Sequence, residues 1–263
     1  MIHPTAIIAP GVRIAASATV GPYCVIGGSG DSGCDDIEIG GECVLDAHLC
    51  VQGPIKIGAG NRFFPYSTIG VVPQDLKFRN ETSQTIIGDG NTIREFVTIH
   101  RGTTGGGLVT RIGSNCLVMA YTHIAHDCQV GDHTILGNAA TLAGHVTIGD
   151  HCNVGAFSGV HQFCRVGRHA IIGGYSVITR DVMPYSNTVT ERTARAFGVN
   201  KIGLERRGFS PEAIAALHRA VRLLTAAGLN TTQAVEQIRE EPITPEVAEL
   251  LEFIASSERG VIK

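Results

Sequence analysis

From Ile112 to Ile178 an aliphatic residue stands at every sixth position: Ile112, Val118, Ile124, Val130, Leu136, Leu142, Ile148, Val154, Val160, Val166, Ile172 and Ile178. The fifth residue of each of these hexads is small, from Cys116, Thr122 and Cys128 through to Ser176 and Val182. The same beat runs earlier through Ile8, Ile14, Val20 and Ile26, then from Ile39 to Ile69, then through Ile87, Ile93 and Ile99. A period of six matches neither a 3.6-residue helix nor a two-residue strand. It matches a short strand followed by a tight turn, repeated. Three hexads then close one triangular coil of eighteen residues, with first and fifth residues facing inward. Such coils stack about 4.8 Å apart through backbone pairing. The pattern predicts a mainly β chain: a hexapeptide-repeat parallel β-helix.

Three stretches break the beat. "GGSGDSGCDD" lies between Ile26 and Ile39, "GVVPQDLKFRNETSQT" between Ile69 and Ile86, and "HRGTTGGGLVTR" after Ile99. A solenoid tolerates insertions only at its corners, so all three are expected to protrude, where sites are often built. The second carries Asp75, Lys77 and Arg79; the third carries His100 and Arg101. After Pro184 the hexads stop. "FSPEAIAALHRAVRLLTAAG" has Ser210 placed as N-cap, Pro211 in the first turn and helical apolar spacing. "TTQAVEQIREE" and "TPEVAELLEFIASS" predict two further helices. The expected division is therefore a repeat domain with protruding loops at 1–190 and a small α-helical domain at 191–263.

Composition sharpens this picture. Of 263 residues 43% are hydrophobic, yet only 5% are aromatic and there is no tryptophan, so the core must be built of small and branched aliphatic side chains. The net charge of -3 offers no basic excess for nucleic acid. No apolar run is long enough for a transmembrane segment, and "MIHPTAIIAPGV" lacks the pattern of a signal peptide. A cytoplasmic protein is expected. Six of the eight cysteines (Cys24, Cys43, Cys116, Cys128, Cys152 and Cys164) fall at the inward fifth position, as core filler rather than disulfide partners or zinc ligands; Cys50 is at a sixth position and Cys34 in a loop.

The stretch "YTHIAHDCQV" gathers His123, His126 and Asp127. Positions eighteen apart share a face. Gly144 lies eighteen residues after His126, His145 nineteen and His161 thirty-five, which predicts a ladder of His126, His145 and His161 at outward positions. Neighbours on an ideal strand point to opposite faces, so a His126–Asp127 pair needs a turn at "AHDC". A second ladder, His133, His151 and His169, repeats every eighteen residues at the fourth position of its hexads. Stacked imidazoles can offer themselves to a metal, but surface repetition explains this ladder cheaply. The "HxxH" spacing of His123 and His126 has its metal-binding meaning only on a helix.

The strings "PQDLKF", "TIHRGT", "HIAHDC", "TLAGHV", "HQFC", "FGVN" and "RRGFS" occur in this order over nearly the whole length. On them the chain resembles the UDP-N-acetylglucosamine acyltransferase family of lipid A biosynthesis. The resemblance implies a left-handed solenoid and a soluble homotrimer with sites in the clefts between subunits. It implies transfer of a 3-hydroxyacyl chain from acyl carrier protein to the 3-hydroxyl of UDP-N-acetylglucosamine, the first step of lipid A biosynthesis, with no metal or organic cofactor.

By the same resemblance His126 is the general base, Asp127 biases its tautomer and stabilises its charged form, and the Gly144 N–H is the oxyanion donor. His123, His145, His161 and Gln162 bind substrate, Asp75 and Lys77 reach in from the second interruption, and Asn200, Arg206 and Arg207 bind the nucleotide. Gly174 leaves room for a long acyl chain. Two alternatives stay open: the same scaffold acylating a 3-amino sugar nucleotide, and a metal-binding hexapeptide trimer of carbonic-anhydrase type.

Overall fold

The computed structural model describes residues 1–28, 36–190, 196, 198–226, 228–257 and 261. Cys34 and most of the first interruption lie outside the described residues. The chain forms two compact units, Met1–Thr190 and Glu191–Lys263.

In the first unit, strands of two to four residues form three parallel sheets of nine, eight and nine strands. Each strand pairs with the one a coil later: Ile124 lies opposite Leu142, and Leu142 opposite Val160. This is a left-handed parallel β-helix built on the hexapeptide beat. All twelve aliphatic residues from Ile112 to Ile178 are buried, as are all twelve fifth-position residues. Ile8 and Ile14, in the first coil, are only partly buried.

The fifth position does more than fill space. Its thiol or hydroxyl donates to a backbone carbonyl fifteen residues on, as Cys116 Sγ does to Gly131, Thr122 Oγ1 to Gly137, Cys128 Sγ to Ala143 and Ser158 Oγ to Gly173. Small polar residues thus satisfy corner carbonyls that face the core. Burial pushes the Cys128 thiol up to about 12, which removes it as a nucleophile. The seven cysteines among the described residues are all free thiols.

Most corners are turned by the fourth residue of the hexad in a left-handed conformation: φ is 57° at Asn115, 62° at Tyr121, 61° at Asp127, 55° at His133 and 64° at His145. For a non-glycine residue this costs roughly 1 kcal/mol or more. The corner is held by an N–H that reaches back to the preceding coil, as from His133 to the Ser114 carbonyl and from His145 to that of His126. Side chains at successive fourth positions stack. Tyr23, His48, Tyr66, Phe96 and Tyr121 form one column with rings 4.9 to 5.3 Å apart.

The interruptions differ from expectation in one respect. The loop between Val71 and Gln84 stands out, with Leu76 94% exposed. The segment after Ile99 does not protrude. His100, Arg101 and Thr103 are buried, Arg101 Nη1 donates to the Gly53 carbonyl at 2.7 Å, and a single 3₁₀ turn at Thr104–Gly106 closes the segment. Thr104, Gly105 and Gly107 are its exposed residues.

Among its described residues the second unit holds four helices: α1 (Lys201–Arg206), α2 (Pro211–Leu224), α3 (Thr231–Arg239) and α4 (Pro245–Ala255). Ser210, Asn230 and Thr244 cap α2, α3 and α4, and Asn230 with Gln233 completes a capping box. Ala216, Ala220, Leu224, Ala234, Ile238, Val247 and Leu251 form the shared core.

Candidate active site

The strand His123–Ile124 and the strand Gln129–Val130 are joined by the corner Ala125–Cys128. Ile124 and Cys128 are buried in the solenoid core and fix its two ends. His126 takes the third position of the hexad and Asp127 the fourth. The left-handed turn at Asp127 removes the opposition that an ideal strand would impose on neighbouring side chains. His126 Nδ1 lies 2.8 Å from Asp127 Oδ2.

Asp127 has a fully buried side chain. A buried carboxylate is costly unless its oxygens are well supplied with donors. Here Oδ1 accepts from the Thr103 N–H at 2.9 Å, and Oδ2 accepts from the Thr103 hydroxyl at 2.5 Å as well as from His126. The Asp127 N–H in turn donates to Thr110 Oγ1 at 2.7 Å. Gly106 packs so closely that a Cβ there would overlap the carboxylate carbon. The segment after Ile99 is therefore the floor of the site.

One coil on, Gly144 stands in register with His126. A Cβ at Gly144 would lie 2.6 Å from His126 Cε1 and 2.8 Å from Nε2, so the imidazole occupies the space a side chain would take. Among the described residues no acceptor takes the Gly144 N–H. His145 sits above Asp127. Its Nδ1 is 3.8 Å from Asp127 Oδ2, and its ring meets His126 edge-on with centroids 5.0 Å apart, while its other face stacks on Phe163 at 4.5 Å. Burial lowers the His145 imidazole, against the opposing pull of Asp127.

Two further imidazoles line this wall. His123 Nδ1 is 2.7 Å from Thr98 Oγ1, and its ring meets His100 edge-on at 4.9 Å. Burial, and then the neighbouring His126, lower His123. Burial holds His100 at about 4, with His123 and His126 adding to the effect. His100 Nδ1 is buried without a hydrogen-bond partner among the described residues.

Residues 181–262 match the second domain of the UDP N-acetylglucosamine O-acyltransferase family, and residues 110–144 and 145–180 each match the bacterial transferase hexapeptide of six repeats. The acyl-[acyl-carrier-protein]–UDP-N-acetylglucosamine O-acyltransferase of Thermodesulfovibrio yellowstonii is 46% identical over 100% of this chain and 99% of its own length. That of Xylella fastidiosa is 45% identical over 100% of this chain and 98% of its own. Among solved structures, LpxA from Acinetobacter baumannii is 43% identical and aligns with a TM-score of 0.67 over 100% of this chain and 99% of its own. The chain belongs to the UDP-N-acetylglucosamine O-acyltransferase family.

The remaining residues singled out by the family's strings fall in different places. Asp75 is half-buried, its Oδ1 accepts the Lys77 N–H, and its charge is felt at His145; Lys77 itself is exposed. His161 and Gln162 are exposed. His161 does not continue a ladder with His126 and His145. Thirty-five residues is one short of two coils, so His161 takes the second position of its hexad, in register with Ala143 and Ala125, and the ring above His145 is Phe163. Gly174 turns another corner, between the strands Ile171–Ile172 and Val177–Ile178, where a Cβ would meet only the backbone of Ala156, at 3.2 Å.

In the helical unit Asn200 caps α1, its Oδ1 accepting from the Gly203 N–H, and Arg207 Nη1 donates to the Gly203 carbonyl at 3.2 Å. Both are thereby engaged in holding α1, a helix of six residues that the apolar spacing did not predict. Arg206 is exposed in its last turn.

Three metal-type donors lie within 4.8 Å of one another only at His126, Asp127 and His145 among the described residues. The Asp127 oxygens there already accept three hydrogen bonds, two from Thr103 and one from His126, while His145 stands 3.8 Å off without one. The rings of His133, His151 and His169 stack flat, 4.7 Å apart and 4° from parallel. Nitrogen lone pairs lie in the ring plane, so parallel rings do not aim at a shared point. The sequence reading missed Thr103, Thr110, Gly106 and Phe163. Only the break in the hexad beat hinted at the first three.

Proposed function

We propose that this chain is an acyltransferase that moves a 3-hydroxyacyl group from acyl carrier protein to the 3-hydroxyl of UDP-N-acetylglucosamine, with His126 as the general base. One observation carries the reading: His126, whose side chain is 15% exposed, has Nδ1 tied to a fully buried carboxylate. That bond leaves Nε2 as the proton acceptor. Nε2 takes the proton of the sugar hydroxyl, and the oxygen attacks the thioester carbonyl. Asp127 stabilises the imidazolium that results. The oxyanion that develops needs a donor, and among the described residues nothing accepts from the Gly144 N–H. When the tetrahedral intermediate collapses, the C–S bond breaks and the imidazolium returns its proton to the departing thiolate. Each proton and electron pair is accounted for by groups of this wall and the two substrates.

His123 and His145 lie beside His126 and Asp75 acts on His145; these three are candidates for substrate contacts, with exposed Lys77, His161 and Gln162. Exposed Arg206 is the candidate for the diphosphate, with Asn200 and Arg207 beside it in sequence. Gly174 lies at a different corner from His126, so within one chain it cannot share a wall with the base. A homotrimer brings different corners of neighbouring prisms together, and threefold closure suits a triangular solenoid. In that arrangement Gly174 leaves room for a long acyl tail. Among the described residues no helix is long and apolar enough to cross a membrane. A cytoplasmic reaction agrees with an acyl carrier protein donor and a sugar nucleotide acceptor.

The test is His126→Ala, assayed with the hydroxyl and 3-amino forms of the sugar nucleotide against a series of acyl carrier protein thioesters. Loss of the base should cost roughly a hundredfold or more, with sugar-nucleotide binding retained. A variant that kept most of its rate would remove His126 from the mechanism. Preference for the amine would make the acceptor the 3-amino sugar.

A further inference from the structure

The insertion after Ile99 has a job that the repeat alone does not explain. Ile112 follows Ile99 by thirteen residues where the beat allows six, so seven residues are extra. They form the turn that begins at Thr103. That turn is closed on Thr103 itself, whose carbonyl accepts from the N–H groups of Gly106, at 3.2 Å, and Leu108, at 2.9 Å. Thr103 is 4% exposed. Its N–H and its hydroxyl are both spent on the two oxygens of one carboxylate. Gly106 then covers that carboxylate with no room for a side chain.

We propose that Thr103 is a positioning residue for the base, clamping the Asp127 carboxylate from below and setting how strongly it holds the His126 proton. This rests on the reading of His126 and Asp127 as base and partner. The chemistry follows from one shared atom. Asp127 Oδ2 accepts both from the Thr103 hydroxyl, at 2.5 Å, and from His126 Nδ1, at 2.8 Å. A hydrogen bond donated to a carboxylate oxygen draws charge from it. Thr103 therefore weakens the grip of Oδ2 on the imidazole proton while fixing the rotation of the carboxylate about Cβ–Cγ. Without the hydroxyl, Oδ2 serves His126 alone. The imidazolium is then better stabilised, and the free imidazole that acts as base is reached only at higher pH. The carboxylate also gains freedom to rotate, and the imidazole with it.

Other groups face the pair. His145 Nδ1 stands 3.8 Å from the same oxygen, His123 and His100 couple to His126, Asp75 couples to His145, and the Cys128 thiol is raised in part by Asp127. From the turn's own side, Glu81 accepts from the Thr104 N–H and hydroxyl. All of them remain in place when Thr103 alone is changed.

The experiment compares Thr103→Val, which keeps shape and loses the hydroxyl, with Thr103→Ser, which keeps the hydroxyl. For T103V the acid limb of the kcat–pH profile should move up by about one pH unit, the scale of a hydrogen bond to an ionised group. Its kcat at neutral pH should fall roughly tenfold, with KM for the sugar nucleotide little changed. T103S should return both profile and rate. A direct reading comes from ¹⁵N-labelled histidine: the His126 imidazole should titrate at higher pH in T103V than in T103S, and this needs no turnover. A T103V enzyme with the wild-type profile, or a T103S enzyme as impaired as T103V, would overturn the clamp. If T103V does not fold, Thr103→Ala takes its place in the ¹⁵N titration: a His126 midpoint above that of T103S supports the clamp, and an equal midpoint overturns it. H126A separates the two levels of the argument. An inactive H126A with an unaltered T103V sinks the clamp only, whereas an active H126A sinks the base and leaves Thr103 nothing to position.

Discussion

Two corners of the same prism carry histidine at the left-handed fourth position, which recurs every eighteen residues. At one, His133, His151 and His169 are exposed and stack flat, ring on ring, with Tyr185 continuing the column at 5.5 Å. At the other, the column is Asp127, His145 and Phe163, and the ring that matters most, His126, stands one place to the side and meets His145 at 88°. The backbone of the two corners is alike, with φ of 55° to 57° in the first and 61° to 66° in the second. What differs is the company. The first corner repeats one residue type over three coils. The second substitutes an acid for one of the rings, a glycine for the side chain beside another, and covers the acid with a seven-residue insertion. Periodicity places histidines on a solenoid; the departures from periodicity turn one of them toward chemistry.

The glycine is the sharpest way to break that contrast. Gly144→Ala adds a Cβ into the space of the His126 ring, under 3 Å from two of its atoms. The backbone is shared with the next coils and cannot yield cheaply, so the ring must tilt away from Asp127 or from the substrate. Activity should fall by roughly tenfold to a hundredfold, the scale of misplacing a reacting group by about 1 Å. Gly159→Ala, on a strand one coil away where a Cβ meets nothing within 4 Å, supplies the control and should keep near-normal rates. Equal behaviour of the two alanine variants would show that the ring has room to spare and that Gly144 is an ordinary corner residue.

The contrast also explains which parts of the site could be read beforehand. Every inward residue from Ile112 onward followed from the beat, because burial in a solenoid is strictly periodic and one slip would turn a whole face outward. The need for a turn at "AHDC" followed from strand parity. The fourth-position conformation did not, since the residues that adopt it range from Asn115 and His133 to Tyr121 and Ala139 and share no side-chain chemistry. The thirty-five residues from His126 to His161 fall one short of two coils, and at a corner one residue changes the direction of the side chain. Thr103 was invisible for another reason. It lies in the insertion, where no period applies, and only the fold shows that the segment turns down onto Asp127 rather than out into solvent. Helix α1 was missed because six residues with a glycine among them carry little apolar signal, and its stability comes from Asn200 and Arg207 at its ends.

Acid should expose the covered corner through its buried histidine. His100 is held at about 4 in the folded chain against an ordinary value of 6.5. Above pH 6.5 it is neutral whether folded or unfolded and adds no pH dependence. Between 6.5 and about 4 the unfolded chain binds a proton that the folded chain refuses, so stability falls as pH falls. Below about 4 both forms are protonated and the loss levels off, at roughly 3 kcal/mol. The measurement is the difference in melting behaviour between wild type and His100→Gln over this window, which cancels the carboxylates common to both. The wild-type protein should lose stability faster on acidification. Parallel curves would mean that His100 takes up its proton in the folded state at an ordinary pH, and hence that the segment after Ile99 does not shield it from water.

The smallest effect belongs to the bare ladder, and it separates corner geometry from histidine chemistry. At His151 φ is 57°, a conformation that asparagine adopts readily and β-branched residues resist. The ring stacks on His133 below and His169 above, and its N–H reaches the Asp132 carbonyl through the backbone alone. His151→Asn keeps the backbone preference and removes the stack. It should leave transfer rates within about twofold and cost a few tenths of a kcal/mol at most, the range of an exposed surface change. His151→Val removes the preference as well and should cost roughly 1–2 kcal/mol by melting, again with the rate nearly intact. The order of the two variants is the prediction. If asparagine and valine destabilise equally, the ring stack rather than the left-handed turn holds this corner. If either one slows transfer as His126→Ala is expected to, the division between a structural and a chemical column of histidines is wrong, and the ladder has to be counted as part of the site.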